Sequence, residues 1–466
     1  MIKFGTDGWR AIIHEDFNEQ NVRRVAHALA EYLLARKKKG LIYVGFDRRL
    51  LSEESAGQVA EVLTANGFLV RLSKNYCPTP VVAWQTKTNQ AIAGVMITAS
   101  HNPPQWNGIK IKEEDGGAAS PEYTAAIEEI LNSLTDREVK QIPLKEARAK
   151  GLLEIFDPME GYIQALQKRF ATDEIRKANW KIGFDPLYGA GTDYLGKILE
   201  TDIFQIHGEK DPNFGGLNPE PIRKNLSEMI RVVRDKKLDL ALSTDGDADR
   251  IGAVDEEGNF VDSHHIFALI LRHLASVHKK TGLVVKTITT TNMIDKLAKR
   301  YHLRLLETPV GFKHLGGKLR AAPDPLMGGE ESGGIAVTDW LNERDGIFSA
   351  LFLLDIITYH RKKLSSVIED LHREIGPHYF ERLDLHLGEE VMKRLRETLP
   401  RLKRDRLGGQ TVSEIKTFDG TKFLLSDGSW LLIRASGTEP LLRLYAESST
   451  PDQVKRLLEE GQALLC

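Results

Sequence analysis

Leu41-Ile-Tyr-Val-Gly-Phe-Asp47 is a short apolar run ending in Gly-Phe-Asp, and together with the segments just after it this run decides the fold. Residues 52–66 carry helical patterning and Gly67 supplies the stop. Residues 68–72 are strand-like and lead to Thr79-Pro80-Val81. The order returns twice. Residues 181–185 again end in Gly-Phe-Asp before a helical stretch. At 283–287 another apolar run starts, with a helix to about Tyr301, a strand at 303–306 and then Thr308-Pro309-Val310. Strand, helix and strand at this spacing signal parallel pairing with helices on the sheet faces. The chain therefore reads as α/β: three related α/β domains with mixed, largely parallel sheets.

The last part has a different rhythm. Short β-like runs at 422–425, 429–434 and 441–446 are separated by Asp-Gly and Ser-Gly turns. A closing amphipathic helix starts after Thr450, with Pro451 at its first position. This is the pattern of a smaller C-terminal α+β domain. The changes of pattern set domains at 1–150, 151–252, 253–372 and 373–466, with a hinge expected near 370.

A chain of 466 residues exceeds what one core serves, in keeping with several domains. The formal net charge of −2 gives no electrostatic case for a nucleic-acid or membrane partner. Cys77 and Cys466 are far apart and in no metal spacing, so neither a disulfide framework nor a cysteine metal site is expected, and a cytoplasmic location is. The amino terminus lacks the apolar core of a signal peptide. The apolar stretch 347–359 is interrupted by Asp355 and too short for a bilayer, so it reads as a buried helix. The basic run 36–39 ends a helix, with Gly40 as the stop.

Four loops carry chemistry. Thr98-Ala-Ser100-His-Asn102 comes after the apolar run 91–97, which would present Ser100 at the carboxyl end of a buried strand, where α/β sheets place ligands. No Gly-x-Ser-x-Gly surrounds it, which argues against a hydrolase triad. Asp245, Asp247 and Asp249 alternate in Asp-Gly-Asp-Ala-Asp-Arg between two β-like runs. Three carboxylates in five residues repel one another unless a cation or donors neutralise them, and a hard divalent ion suits them. An EF-hand is excluded because Arg250 stands where its loop needs glycine and the flanks read as strands. Gly328-Gly-Glu330-Glu-Ser332-Gly-Gly334 exposes backbone around carboxylates and a hydroxyl, a set suited to sugar hydroxyls. Arg434-Ala-Ser436-Gly437-Thr438-Glu-Pro440 joins a guanidinium fork to hydroxyl donors and an open backbone, a set suited to a phosphate.

In this order the four loops resemble those of the α-D-phosphohexomutases, the phosphoglucomutases, phosphomannomutases and phosphoglucosamine mutases. The resemblance spans essentially the whole chain. The opening Phe4-Gly-Thr-Asp-Gly-Trp-Arg10 is similar to that family's first segment, whose arginine lines the active site. The resemblance implies three α/β domains and a fourth α+β domain. It implies that Ser100 carries a phosphoryl group and that Mg2+ is held by Asp245, Asp247, Asp249 and Ser100. Hexose 1-phosphate and 6-phosphate would interconvert through a bound 1,6-bisphosphate, glucose 1,6-bisphosphate serving as activator. Lys110 would carry a proton, which needs a lowered pKa. Arg10, His101 and Arg250 would support the transferring phosphate. Glu330, Ser332 and Lys313 would hold the sugar end, and Arg434, Ser436, Gly437 and Thr438 the other phosphate. The dual-specificity branch ends its sugar loop in Ser-Gly-His, whereas this chain has Ser332-Gly333-Gly334. Glucose is therefore expected first, then mannose, then glucosamine. A metal-dependent phosphatase is the alternative chemistry, and a monomer or homodimer the expected assembly.

Overall fold

The structure is a computed structural model that describes residues 2–5, 7–134, 139–435 and 441–465. Its first sheet is built from β1 (Trp9–Ile12), β2 (Leu41–Phe46), β3 (Leu69–Ser73), β4 (Ala93–Ile97), β5 (Trp106–Lys112) and β6 (Leu153–Phe156). They lie in the order β1-β5-β4-β2-β3-β6. The second holds β7 (Ile182–Asp185), β8 (Phe204–Gln205), β9 (Leu240–Thr244), β10 (Ile251–Asp255) and β11 (Phe260–Val261), in the order β11-β10-β9-β7-β8. The third holds β12 (Leu283–Thr287), β13 (Arg304–Thr308), β14 (Pro325–Gly329) and β15 (Ile335–Val337), in the order β13-β12-β14-β15.

One unit recurs in all three. Two strands flank a central one in parallel, and the last of them turns back through a loop into an antiparallel strand. The recurring sets are β5-β4-β2-β3, β10-β9-β7-β8 and β15-β14-β12-β13. The loops that close the three returns are those bearing Ser100, the aspartates and Glu330. The strands feeding them are short and apolar because helices and neighbouring units cover them, and β4 and β9 are buried along their whole length.

The fourth unit is a wholly antiparallel sheet of β16 (Tyr379–His386), β17 (Arg406–Leu407), β18 (Gln410–Lys416), β19 (Thr421–Leu425), β20 (Trp430–Ala435) and β21 (Leu441–Ser448). Their order is β16-β21-β20-β19-β18-β17. The helix Pro451–Ala463 packs on it, its first turn capped by the Thr450 side chain, with Pro451 as the sequence indicates.

The first unit has its own core around Val44, Val95 and Ile109. The second and third share one, to which the first adds residues such as Tyr43, Val82 and Met96; it is centred on the helix Gly346–His360, whose apolar residues face all round as a fully buried helix requires. The fourth has its own core and meets the third through Ile288, Trp430, Leu432 and Tyr445.

The units end later than the changes of sequence pattern suggest. β6 pairs with β3, so the first sheet runs beyond residue 150, and β10 and β11 carry the second to Val261, beyond 252. A helix runs through residue 370. Leu364, Val367 and Leu371 form a buried stripe that keeps the helix Leu364–Ile375 intact, and the first break is Gly376, at φ 85°. No described helix is long and apolar enough to cross a membrane.

Candidate active site

Ser100 is fully buried and left-handed (φ 55°), a conformation a non-glycine residue holds only when its surroundings fix it. Arg49 does the fixing. Its guanidinium donates to the carbonyls of Ser100 (2.6 Å), Asn102 (2.7 Å), Pro103 (2.9 Å) and Trp106 (3.0 Å). Asp47 faces Arg49 at 3.2 Å and accepts from the hydroxyls of Thr98 (2.6 Å) and Ser52 (2.7 Å). The Gly-Phe-Asp ending of β2 thus supplies the carboxylate that anchors the serine loop.

Ser100 Oγ donates to Asp245 Oδ2 at 2.8 Å, joining the first and second sheets. Asp245, Asp247 and Asp249 are wholly buried and can direct one oxygen each into a common space. Asp247 Oδ1 and Asp249 Oδ1 have no hydrogen-bond partner there among the described residues, so two buried acceptors point where a hard cation would bind. The donor set fits Mg2+. Asp245 Oδ1 is already committed to the backbone N–H groups of Asp249 (3.0 Å) and Arg250 (3.1 Å), which curl the loop. Burial, then repulsion from Asp247 and Asp249, pushes the Asp245 carboxyl well above its ordinary pKa. Asp247 goes the other way: burial opposes its charge, but Lys110, Thr79 and Arg344 together outweigh it.

Lys110, on β5, is buried with Nζ 2.8 Å from Asp247, 2.7 Å from Asp249 and 2.8 Å from Asp7. Burial disfavours its ammonium, yet the three carboxylates prevail and hold its pKa above that of an ordinary lysine. These carboxylates arrive from loops remote in sequence and favour the ammonium, the opposite direction to the lowered pKa that a proton carrier needs. His101 is half-buried with Nδ1 3.4 Å from Ser100 Oγ. Burial, then Arg250, Arg10 and Arg49, drives its pKa well down, so the imidazole is neutral. Arg10 donates to the Asn102 side chain. Arg250 lies 3.3 Å from Glu220 and 3.8 Å from Asp245, and its Nε has no hydrogen-bond partner among the described residues.

The third loop joins the second through backbone. Ile251 N–H donates to the Gly333 carbonyl at 3.1 Å, and Arg250 bridges to Gly334. Glu330 is buried and accepts from Gly311 N–H at 3.0 Å; burial raises its pKa, against the opposing field of Arg344 and Arg250. Ser332 is half-buried beside it. Lys313 donates to the Gly5 carbonyl at 3.3 Å. Arg434 Nε donates to Asp419 at 2.9 Å, and the other Asp419 oxygen accepts from Val310 N–H at 2.8 Å. The fourth unit is so tied to the segment that supports Glu330. Ser436, Gly437 and Thr438 lie outside the described residues.

Three groups escaped the sequence reading. Arg49 and Asp47 had only the repeated Gly-Phe-Asp as a signal. Arg344 was unsignalled except by the charges preceding an apolar helix. It pairs with Asp7, lies 2.8 Å from Asp249 and stacks 4.9 Å from the Phe312 ring. A Cβ at Gly334 would fall 2.2 Å from Arg344 Cδ, so no side chain can project from that position while Arg344 holds this place.

Comparison with known proteins agrees with this arrangement. Profiles described as phosphoglucomutase/phosphomannomutase alpha/beta/alpha domains I, II and III match residues 1–138, 160–258 and 262–375, and the C-terminal domain of that family matches 392–462. A phosphoglucomutase/phosphomannomutase of Thermococcus kodakarensis is 31% identical over 99% of this chain and 98% of its own. A Pyrococcus abyssi protein assigned as a phosphoglucosamine mutase is 31% identical over 99% and 97%. A solved structure from Thermus thermophilus, assigned as a phosphomannomutase, aligns with a TM-score of 0.87 at 32% identity, covering 100% of this chain and 99% of that one. With four domains matched in order around a buried serine and an aspartate cluster, the chain belongs to the phosphoglucomutase/phosphomannomutase family of α-D-phosphohexomutases, whose members are intramolecular phosphotransferases.

Proposed function

We propose that this phosphohexomutase acts on glucose 1-phosphate and glucose 6-phosphate, with mannose phosphates as a second activity and glucosamine phosphate third. Ser100 is the phosphoryl carrier. The observation that carries this reading is the 2.8 Å contact between Ser100 Oγ and Asp245, at the point where the returns of two sheets converge.

In the forward half-reaction the phosphorus–oxygen bond to Ser100 breaks while the free hydroxyl of the bound sugar phosphate forms its own bond to phosphorus, and the hydroxyl proton ends on the freed Ser100 oxygen by way of His101. The product is a bound 1,6-bisphosphate. After it turns over, its other phosphate returns to Ser100 and the serine loop is reset. Glucose 1,6-bisphosphate added from outside enters at the midpoint and recharges the serine.

Such transfer needs in-line positioning and charge neutralisation more than covalent chemistry. Asp245, Asp247, Asp249 and the phosphorylated Ser100 would hold Mg2+, which would supply neutralising charge to the phosphoryl group. Arg10 and Arg250 offer guanidinium donors to the same group. Lys110 adds a buried positive charge, and His101, held neutral beside Ser100, lies on the proton path. Glu330 and Ser332 accept and donate to sugar hydroxyls, with Lys313 at their edge. Arg434, Ser436, Gly437 and Thr438 hold the phosphate that does not react. The preference for glucose is supported by the Glu330-Glu331-Ser332 sequence and by Arg344, which closes the space beside Gly334.

The test is a coupled assay of purified protein with Mg2+ and a trace of glucose 1,6-bisphosphate, offered the 1-phosphates of glucose, mannose and glucosamine separately. Formation of the 6-phosphate, fastest for glucose, supports the proposal. Free phosphate in place of 6-phosphate would refute it, and a dominant rate with glucosamine 1-phosphate would refute the sugar assignment.

A further inference from the structure

A second group of ligating side chains lies at the opposite end of the buried helix Gly346–His360. That helix starts against the aspartate loop, where Gly346 N–H donates to the Ala248 carbonyl at 3.0 Å. At ~1.5 Å per residue, Asp355 is ~14 Å and His360 ~21 Å further along. There the helix meets the last turn of Ser263–Ser276, which carries His273, and the turn after it, which carries His278.

His273 is 2% exposed, and neither ring nitrogen has a hydrogen-bond partner among the described residues. A buried imidazole with both nitrogens unmet is costly and uncommon. Its surroundings offer ligands in place of hydrogen bonds. Nε2 lies 3.5 Å from Asp355 Oδ2, and the His278 and His360 rings are centred 4.9 and 5.8 Å from that of His273. One ligand atom each from His273, His278 and Asp355 falls within 4.8 Å of the others. Bonds of ~2.0–2.1 Å in a tetrahedral zinc site put neighbouring ligand atoms ~3.3–3.4 Å apart, close to the His273–Asp355 spacing.

The nearby cations are occupied elsewhere. Arg169 and Lys280 pair with Asp339, Arg272 with Glu374, and Lys362 with Asp370. Asp355 is left facing the histidines.

We propose that His273, His278 and Asp355, with His360 as a neighbouring fourth ligand, form a binding site for a borderline divalent ion of the Zn2+ type, separate from the aspartate cluster. Imidazole nitrogens select zinc, nickel or copper, whereas Mg2+ prefers carboxylate, carbonyl and water oxygens. The two sites therefore take different ions. A bound ion would clamp the end of one helix to the other within the core shared by the second and third units.

The experiment uses metal-stripped full-length protein in saturating Mg2+, titrated calorimetrically with Zn2+ and, in parallel, with Co2+ followed by its visible spectrum. The expected result is one Zn2+ per chain and the intense bands of four-coordinate Co2+. His278→Ala, whose side chain is exposed and expendable for folding, should weaken binding ~10-fold or more, and Asp355→Asn should do the same. Mutase activity in Mg2+ should be unchanged in His278→Ala. Equal Zn2+ affinity in wild type and both variants, or only six-coordinate Co2+ spectra, would overturn the proposal. So would the absence of Zn2+ binding once Mg2+ fills the aspartate cluster.

Discussion

Ser100 Oγ and Asp245 Oδ2 lie 2.8 Å apart, although they belong to loops closing two different sheets and are separated by 145 positions in the chain. The contact sets the serine against the cluster of Asp245, Asp247 and Asp249. Ser100→Ala should reduce turnover by ~10³-fold or more, the scale seen when a covalent nucleophile is removed. The lost hydrogen bond should cost about 1–3 kcal/mol of stability, which leaves the protein folded. Steady-state rates and a thermal melt measured on the same preparation check both.

Arg49 holds four carbonyls of the serine loop and touches no site carboxylate other than Asp47 at its base. Arg49→Ala leaves Asp47 buried without its ionic partner, a loss of about 3–5 kcal/mol. Because Arg49 positions Ser100 and does not meet the sugar in this account, kcat should fall much further than KM rises. Arg49→Lys, with a single ammonium in place of a fork, should recover only part of kcat. Rate measurements at saturating and limiting substrate separate the two effects.

Gly334 has no room for a side chain while Arg344 sits between Asp7 and Asp249. Gly334→Ala should cost about 1–3 kcal/mol through overpacking. It should also raise KM for the sugar phosphate, as Arg344 moves and Glu330 loses the nearby charge. Combining it with Arg344→Ala should cost less stability than the two single changes summed, which a double-mutant cycle reads directly.

The junction to the fourth unit carries a histidine pair. His265 Nε2 and His372 Nε2 are 3.0 Å apart, and His265 Nδ1 is 2.7 Å from Asp262. Burial works against charge on His265, but Asp262 prevails and raises its pKa; burial and then the charge on His265 lower that of His372 to about 4. Above the ordinary histidine range His372 is neutral folded or unfolded and has no effect. As pH falls from ~6.5 towards 4, the unfolded chain takes up a proton that the folded one refuses, so His372 destabilises the fold across that window. His265 contributes oppositely: its stabilisation is present at low pH and fades as pH rises through its folded pKa. His372→Gln, which keeps an acceptor for His265, should therefore flatten the loss of stability between pH 6.5 and 4. Thermal melts of both proteins across that range measure the difference.

Legibility in the sequence depends on the range of each interaction. The repeated strand–helix–strand pattern is local, and so is the alternation of Asp245, Asp247 and Asp249, so both could be read directly. The serine loop could be placed at a strand end because 91–97 is apolar. The surroundings of Lys110 could not be read, because they depend on Asp247 and Asp249, 137 and 139 positions away. Arg344 reaches Asp7 across 337 positions, which no local pattern announces. The core shared by the second and third units was hidden for the same reason: apolar periodicity tells that Gly346–His360 is buried but not what covers it.

The most direct test of the central claim is to follow the phosphoryl group. Protein exposed to glucose 1,6-bisphosphate labelled with 32P, then quenched and digested, should yield one labelled peptide, carrying phosphate on Ser100. The label should leave that peptide when unlabelled glucose 6-phosphate is added and appear in sugar bisphosphate. Label on another residue, or label released from Ser100 as free phosphate at the rate of turnover, would contradict the account.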